Sequence, residues 1–279
     1  VLRTVGVLFR RQRSTIDAND LDYVDGIRRA LEPSGLQVVI PVMTSSAPLI
    51  ELRSLVRSGS LGGVILMDVS QSDEREAMLL EEKIPTVLIG SSGCTVGAPG
   101  VDTDFAQMAH EAVKHLAGLG HRRIIALMRE TSADDAHARQ DQAQELLRAA
   151  VDLGVDVLVR QVPELALAGS EIVGADGLVE GRSAVVSNNP AALVGLACAA
   201  QAHGLSIPTD LSVLTLGVTE CRGRQGEAFS EFSVDREAMG TAAGSLLMAR
   251  LRGELEPVEH RTLMPVFLRN RGSTVRCRS

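Results

Sequence analysis

The run Gly63-Val64-Ile65-Leu66-Met67-Asp68 decides how the chain is to be read. Four consecutive apolar residues between a glycine and an acid, with no polar alternation, describe a strand covered on both faces, as in a parallel sheet flanked by helices. Working outward, Thr4–Phe9, Gln37–Val42 and Pro85–Gly90 repeat the pattern at intervals long enough for a helical crossover. The first interval supplies one: Asp20 to Leu31, with Asp20 and Asp22 in its opening turn and a Pro33-Ser34-Gly35 stop.

A helix from Asp104 to Leu119 opens a second series, with strands at Arg123–Met128, Asp156–Val162, Ala184–Ser187 and Leu211–Leu216. An irregular stretch from Thr219 to Glu231, a helix from Asp235 to Arg252 and a strand from Arg261 to Arg269 complete the chain. This predicts an α/β fold of two doubly wound parallel-sheet lobes, with the tail returning to the existing sheets. Several crossings between lobes make a hinge. Such sheets bind ligands at the carboxyl ends of their strands, so a cleft between the lobes is the natural site.

Composition narrows the function. Among 279 residues, 45% are hydrophobic and 23% charged, which describes a globular chain. No apolar run approaches the roughly 18 residues of a membrane span. With 28 basic against 35 acidic residues the net charge is −7, so no bulk positive field is available for a phosphate backbone. Lys83 and Lys114 are the only lysines and neither precedes Ser or Thr, which excludes a P-loop. With 2% aromatics, no Trp and Tyr23 alone, base-stacking platforms cannot be built. Cys94, Cys198, Cys221 and Cys277 form no Cys-x-x-Cys pair, which points to a reducing cytoplasm, and the start at Val1 shows no secretory leader.

Enzyme motifs are missing: no His-Glu-x-x-His, no Gly-x-Ser-x-Gly and no phosphate-binding glycine turn after a strand. Gly118-Leu119-Gly120 reads as a helix stop, and the following His121-Arg122-Arg123 as cations complementing the helix dipole. His110 and His115 are five apart on one helix and do not stack as metal ligands. No enzyme activity, metal or cofactor is expected.

Six blocks carry a resemblance. Val101-Asp102-Thr103-Asp104, Ala112-Val113-Lys114-His115-Leu116 and Leu119-Gly120-His121-Arg122-Arg123-Ile124 are followed in order by Ile207–Val213, Asp235–Gly240 and Arg271-Gly272-Ser273-Thr274. Together they resemble the signature of the lactose-repressor (LacI) family of transcriptional regulators over nearly the whole chain. The resemblance implies a periplasmic-binding-protein-like fold, a first lobe of residues 1–125 plus 236–262 and a second of 126–235 plus 263–275. It also implies a cytoplasmic homodimer that binds a small effector in the cleft to modulate operator affinity, with a helix-turn-helix domain expected upstream and absent from this chain. A solute-binding protein of a sugar transport system is the alternative.

The same resemblance assigns site residues. Arg139 falls where the family carries a ligand-holding arginine, although Gln142-Ala143 stand in place of its Gly-Phe; a solvated Arg on an amphipathic helix is the other reading. Asn188 matches the first member of an Asn-Asp pair, with Asn189 as the second and the better helix cap. Gly217 stands where the family places an acid that grips sugar hydroxyls. With Arg236, Arg10 and Gln107 framing the same cleft, the balance tilts towards a sugar acid or phosphorylated metabolite; salt bridges from the arginines to Asp17, Asp20 or Glu237 are the competing account. Asp20 is either a ligand contact or a helix-dipole partner, and Tyr23 is packed or exposed to ligand. Dimer contacts are expected at Leu193, Ala197 and Ala200, for which core packing is the alternative.

Overall fold

A computed structural model describes residues 4–10, 18–43, 47–93, 97–130, 137–174, 182–218, 228–254 and 261–277. The chain runs β1 (Thr4–Leu8), α1 (Ala18–Leu31), β2 (Gln37–Val39), α2 (Pro48–Arg57), β3 (Gly63–Leu66), α3 (Glu74–Glu81), β4 (Thr86–Ile89) and β5 (Gly100–Thr103). It continues with α4 (Phe105–Gly118), β6 (Arg123–Arg129), α5 (His137–Leu153), β7 (Asp156–Val162), α6 (Ala166–Gly174), β8 (Ala184–Ser187), α7 (Pro190–Ala202) and β9 (Ser212–Leu216). Then follow β10 (Ser230–Val234), α8 (Arg236–Leu251), β11 (Arg261–Met264) and β12 (Val266–Arg269). No described helix is long and apolar enough to cross a membrane.

Two six-stranded sheets result, ordered β11-β5-β4-β3-β1-β2 and β12-β10-β9-β8-β6-β7. The first is parallel throughout; the second is parallel except where β12 runs against β10. The single strand expected from Arg261 to Arg269 is therefore two strands in different sheets. Pro265, which has no N–H to give to a ladder, is the break. A further difference is β10, which covers part of the stretch read as irregular.

Contacts divide the described chain into two units. The first takes residues up to Thr103 and Asp235–Met264; the second takes Asp104–Glu130, Arg139–Val234 and Pro265 onward. The expected boundary at residue 125 moves to Thr103 because α4 belongs to the second unit. Its Met108, Ala112 and Leu116 are buried in one core with Ile124, Ala126 and Met128 of β6. The alternate β6 residues Ile125 and Leu127 face the opposite core, against α7. That period-2 division is what a sheet covered on both faces requires.

The α7 core overturns the expected dimer face. Leu193, Ala197 and Ala200 are each 0% exposed and pack inside the second unit, so none can meet another copy. Small residues on this helix serve a close crossing: a Cβ added at Gly195 would overlap the Ala166 carbonyl, and one at Gly169 the Ala192 carbonyl. The first unit repeats the device. A Cβ at Gly26 would overlap the Glu237 carbonyl and one at Gly240 that of Tyr23, so α1 and α8 also touch backbone to backbone.

Candidate functional site

In the first unit, the α1/α8 crossing builds one side-chain cluster. Asp235 caps α8 by accepting the Ala238 N–H at 2.9 Å, which leaves Arg236 as the first helical residue beside Tyr23. Burial pushes the Tyr23 phenol above its ordinary range, while the charge of Arg236 and its hydrogen bond to the hydroxyl pull it partly back. Asp20 and Asp102 add negative field to the same phenol. The Asp102 carboxylate, 3% exposed, accepts the Thr103 N–H at 2.8 Å and pairs with Arg261 at 2.7 Å. Of the expected ligand residues, Asp20 and Arg236 are thus brought together around Tyr23, and Arg10 stands exposed two residues beyond the end of β1.

One arginine at this carboxyl edge went unnoticed in the sequence. Arg75 donates to the Leu8 carbonyl at 3.2 Å, Met67 at 2.9 Å and Asp68 at 3.3 Å, just past the ends of β1 and β3. It also grips Asp73 through two nitrogens, at 2.9 and 2.8 Å. Burial alone would raise the Asp73 carboxyl, but the Arg75 guanidinium and the Ser70 and Arg75 N–H groups more than offset it and hold the group low. With its fork engaged in this way, Arg75 ties strand ends together. Its placement in the first turn of α3, against the helix dipole, was the available signal.

In the second unit, the carboxyl edge carries a series of neutral amides beside the ion pair of Arg129 with Glu164 at 2.8 Å. The Arg129 N–H at the end of β6 donates to Asn188 Oδ1 at 2.8 Å, Asn188 Nδ2 donates to Gln142 Oε1 at 2.8 Å, and Gln142 Nε2 faces the Met108 sulfur at 3.3 Å. Asn188 is half-buried and Gln142 only 2% exposed. Asn189 caps α7 through the Ala192 N–H, leaving Asn188 for the edge. Gly217, just past β9, has φ +66°, and the nearest atom to an added Cβ there would be Met108 Cε at 3.8 Å. An added Cβ would make only ordinary contact there, although the left-handed backbone strains any L side chain.

Two expected ligand residues stand differently. Gln107 Oε1 accepts the Val266 N–H at 3.0 Å, so its carbonyl anchors the start of β12. Arg139 lies in α5, and its side chain is outside the described residues. Among the described residues, no three His, Cys, Asp or Glu side chains gather as a metal site. His121 is not the surface cation expected from its motif. It is 2% exposed, with Nδ1 2.7 Å from Ser183 and Nε2 3.0 Å from both Ser212 and the Val275 carbonyl, and burial holds its pKa below the ordinary range. Arg122 does meet the dipole, donating to the Ala117 carbonyl at 2.9 Å.

Comparison with known proteins agrees with this architecture. The family model described as periplasmic binding protein-like domain matches residues 113–274. A curated relative, an uncharacterized HTH-type transcriptional regulator in the aml 5′ region of Streptomyces limosus, is 27% identical over 222 residues. That match takes 76% of this chain and spans 61% of the relative's length. Among solved structures, a regulatory protein of the LacI family from Chloroflexus aggregans has a TM-score of 0.84 at 21% identity, over 98% of this chain and 99% of that one. A complex of the regulator CelR with cellobiose has a TM-score of 0.81 at 21% identity, over 97% and 84%. These structural likenesses establish the fold. With the family model covering more than half of its length, the chain belongs to the periplasmic binding protein-like domain family, in the LacI-type form indicated by its sequence motifs.

Proposed function

We propose that this chain is the effector-binding and dimerisation module of a cytoplasmic LacI-type transcriptional regulator, without catalytic activity, and that its effector is a sugar acid or sugar phosphate. The observation that carries the effector class is Gly217 at the carboxyl edge of the second sheet, where the family resemblance places an acid; the arginines at the carboxyl edge of the first sheet support it. A carboxylate acceptor suits neighbouring sugar hydroxyls, and its loss in a chain that also carries Arg236 and Arg10 at the edge of its first sheet favours a ligand that brings negative charge. That CelR was solved with cellobiose supports a sugar-like framework. The relatives are regulators, which favours this reading over solute transport.

Operator binding and the pairing of two copies belong to the same proposal; the helix-turn-helix description and greater length of the curated relative support the first. The effector acts by population shift, so it must bind the operator-competent form with a different affinity from the other form. Calorimetry of the parent, Arg236→Ala, Arg139→Ala and Asn188→Ala against glucose, gluconate and glucose 6-phosphate tests the reading. Anion binding by the parent that weakens in the variants supports it. Tight glucose binding with none for either anion would sink it.

A further inference from the structure

The second unit's edge holds an orientation code. A backbone N–H can only donate, so the Asn188 atom 2.8 Å from Arg129 N is the carbonyl oxygen and the amide nitrogen turns towards α5. That nitrogen donates in turn, so the Gln142 atom 2.8 Å away is Oε1. Gln142 Nε2 then faces the thioether of Met108 at 3.3 Å, a weak acceptor with no hydrogen to give. One donor at the end of β6 thereby sets the direction of two side-chain amides, and the last group accepts, as that polarity demands.

We infer that Gln142 is a positioning residue for effector recognition: it pins the second end of the Asn188 amide, so that Asn188 offers its remaining N–H in a fixed direction to a ligand oxygen that only accepts. The inference rests on the proposed effector class and deepens it. Gln142 is nearly fully buried and acts through Asn188, which is half-buried and keeps one Nδ2 hydrogen beyond the bond to Gln142. With both ends held, the amide cannot swing; with Arg129 N–H alone, it pivots about Oδ1, and the cost of ordering it falls on ligand binding. Gly217 completes the selection by supplying no side-chain acceptor on the same edge. Carboxylate and phosphate oxygens share the required chemistry, and gluconate and glucose 6-phosphate separate the two.

The test follows the Asn188 side-chain NH2 signals by NMR in the full chain, in Gln142→Leu and in Gln142→Glu. The Glu variant keeps the acceptor for Nδ2, and the backbone spectrum reports whether each variant folds. In the parent, one Asn188 hydrogen exchanges slowly; in Gln142→Leu it exchanges about five-fold faster, and Gln142→Glu restores the protection. Gluconate and glucose 6-phosphate weaken about five-fold in Gln142→Leu, the loss expected for one neutral hydrogen bond. Asn188 hydrogens that exchange in the parent as fast as an exposed amide overturn the inference, as does probe binding that is the same in the parent and in Gln142→Leu. Should none of the three probes bind the parent, the effector class falls, and exchange alone upholds or overturns the Gln142 lock.

Discussion

The carboxyl edges of the two sheets differ in their central groups, although the second also carries the Arg129–Glu164 ion pair. The first gathers charge around one phenol, with Arg236, Asp20 and Asp102 about Tyr23 and Arg261 on Asp102. The second runs neutral amides in series, Arg129 N–H to Asn188 to Gln142 to Met108. Charge supplies strength without direction, because a Coulomb attraction falls off smoothly; amides supply direction with little strength, because a hydrogen bond fails at poor angles.

The largest expected effect breaks one side of this comparison. Gly26→Val places a branched side chain into the Glu237 carbonyl and should cost about 3 kcal/mol or more by overpacking, removing the Tyr23–Arg236 contact. Urea unfolding reads the loss, and the Asn188 signals should survive it. If they vanish together with the tyrosine signal, the two edges are not independent. Arg236→Ala is the next largest, weakening anion binding by about 30-fold, a loss of ~2 kcal/mol for a charge-assisted hydrogen bond. Since Tyr23 is the only tyrosine and there is no Trp, tyrosinate absorbance titrates this group alone. Its transition should move further up in Arg236→Ala, as the guanidinium that pulls it down is gone.

A smaller effect sharpens the comparison at the second edge. Gly217→Asp restores an acceptor and should move the glucose-to-gluconate affinity ratio about ten-fold towards glucose, at a stability cost of about 1 kcal/mol for a residue with φ +66°. An unchanged ratio would remove Gly217 from the specificity account. The smallest effects are in pH, and they have opposite signs. Tyr23 is raised by burial, so above about pH 10 the unfolded chain ionises first and stability falls as pH rises through the folded value. His121 in the second unit is lowered by burial, so below about pH 6.5 the unfolded chain takes the proton first and stability falls with pH. Tyr23→Phe should flatten the alkaline limb and leave the acid limb as it is.

The parallel strands were legible because burial on both faces leaves unbroken apolar runs, as in β3. Helix ends were legible too, since Asp104, Asn189 and Asp235 have side chains that cap from within their motifs. β10 was hidden because its sequence, Ser230-Glu231-Phe232-Ser233-Val234, is polar at three of five positions although all five are buried. Glu231 is 0% exposed and is met by Arg269 and Arg271 at 3.5 and 3.6 Å, partners from beyond α8 that no local pattern reveals. Small residues on α7 looked like an interface and instead permit a helix crossing, because alanine and glycine serve both ends equally well. At the first edge Arg10 and Arg236 were assigned by family spacing, whereas Arg75 meets Leu8 and Arg261 meets Asp102 only through long-range packing. The amide series could not, since Gln142 and Asn188 meet only after α5 packs beside β8.

The most direct test of the central claim is calorimetry of the parent chain with gluconate and glucose 6-phosphate beside glucose, repeated in Arg236→Ala and Asn188→Ala. The account predicts that an anion binds the parent more tightly than glucose, that Arg236→Ala removes most of that advantage, and that Asn188→Ala removes a smaller part. Glucose bound more tightly than both anions, or anion binding indifferent to both substitutions, would contradict it.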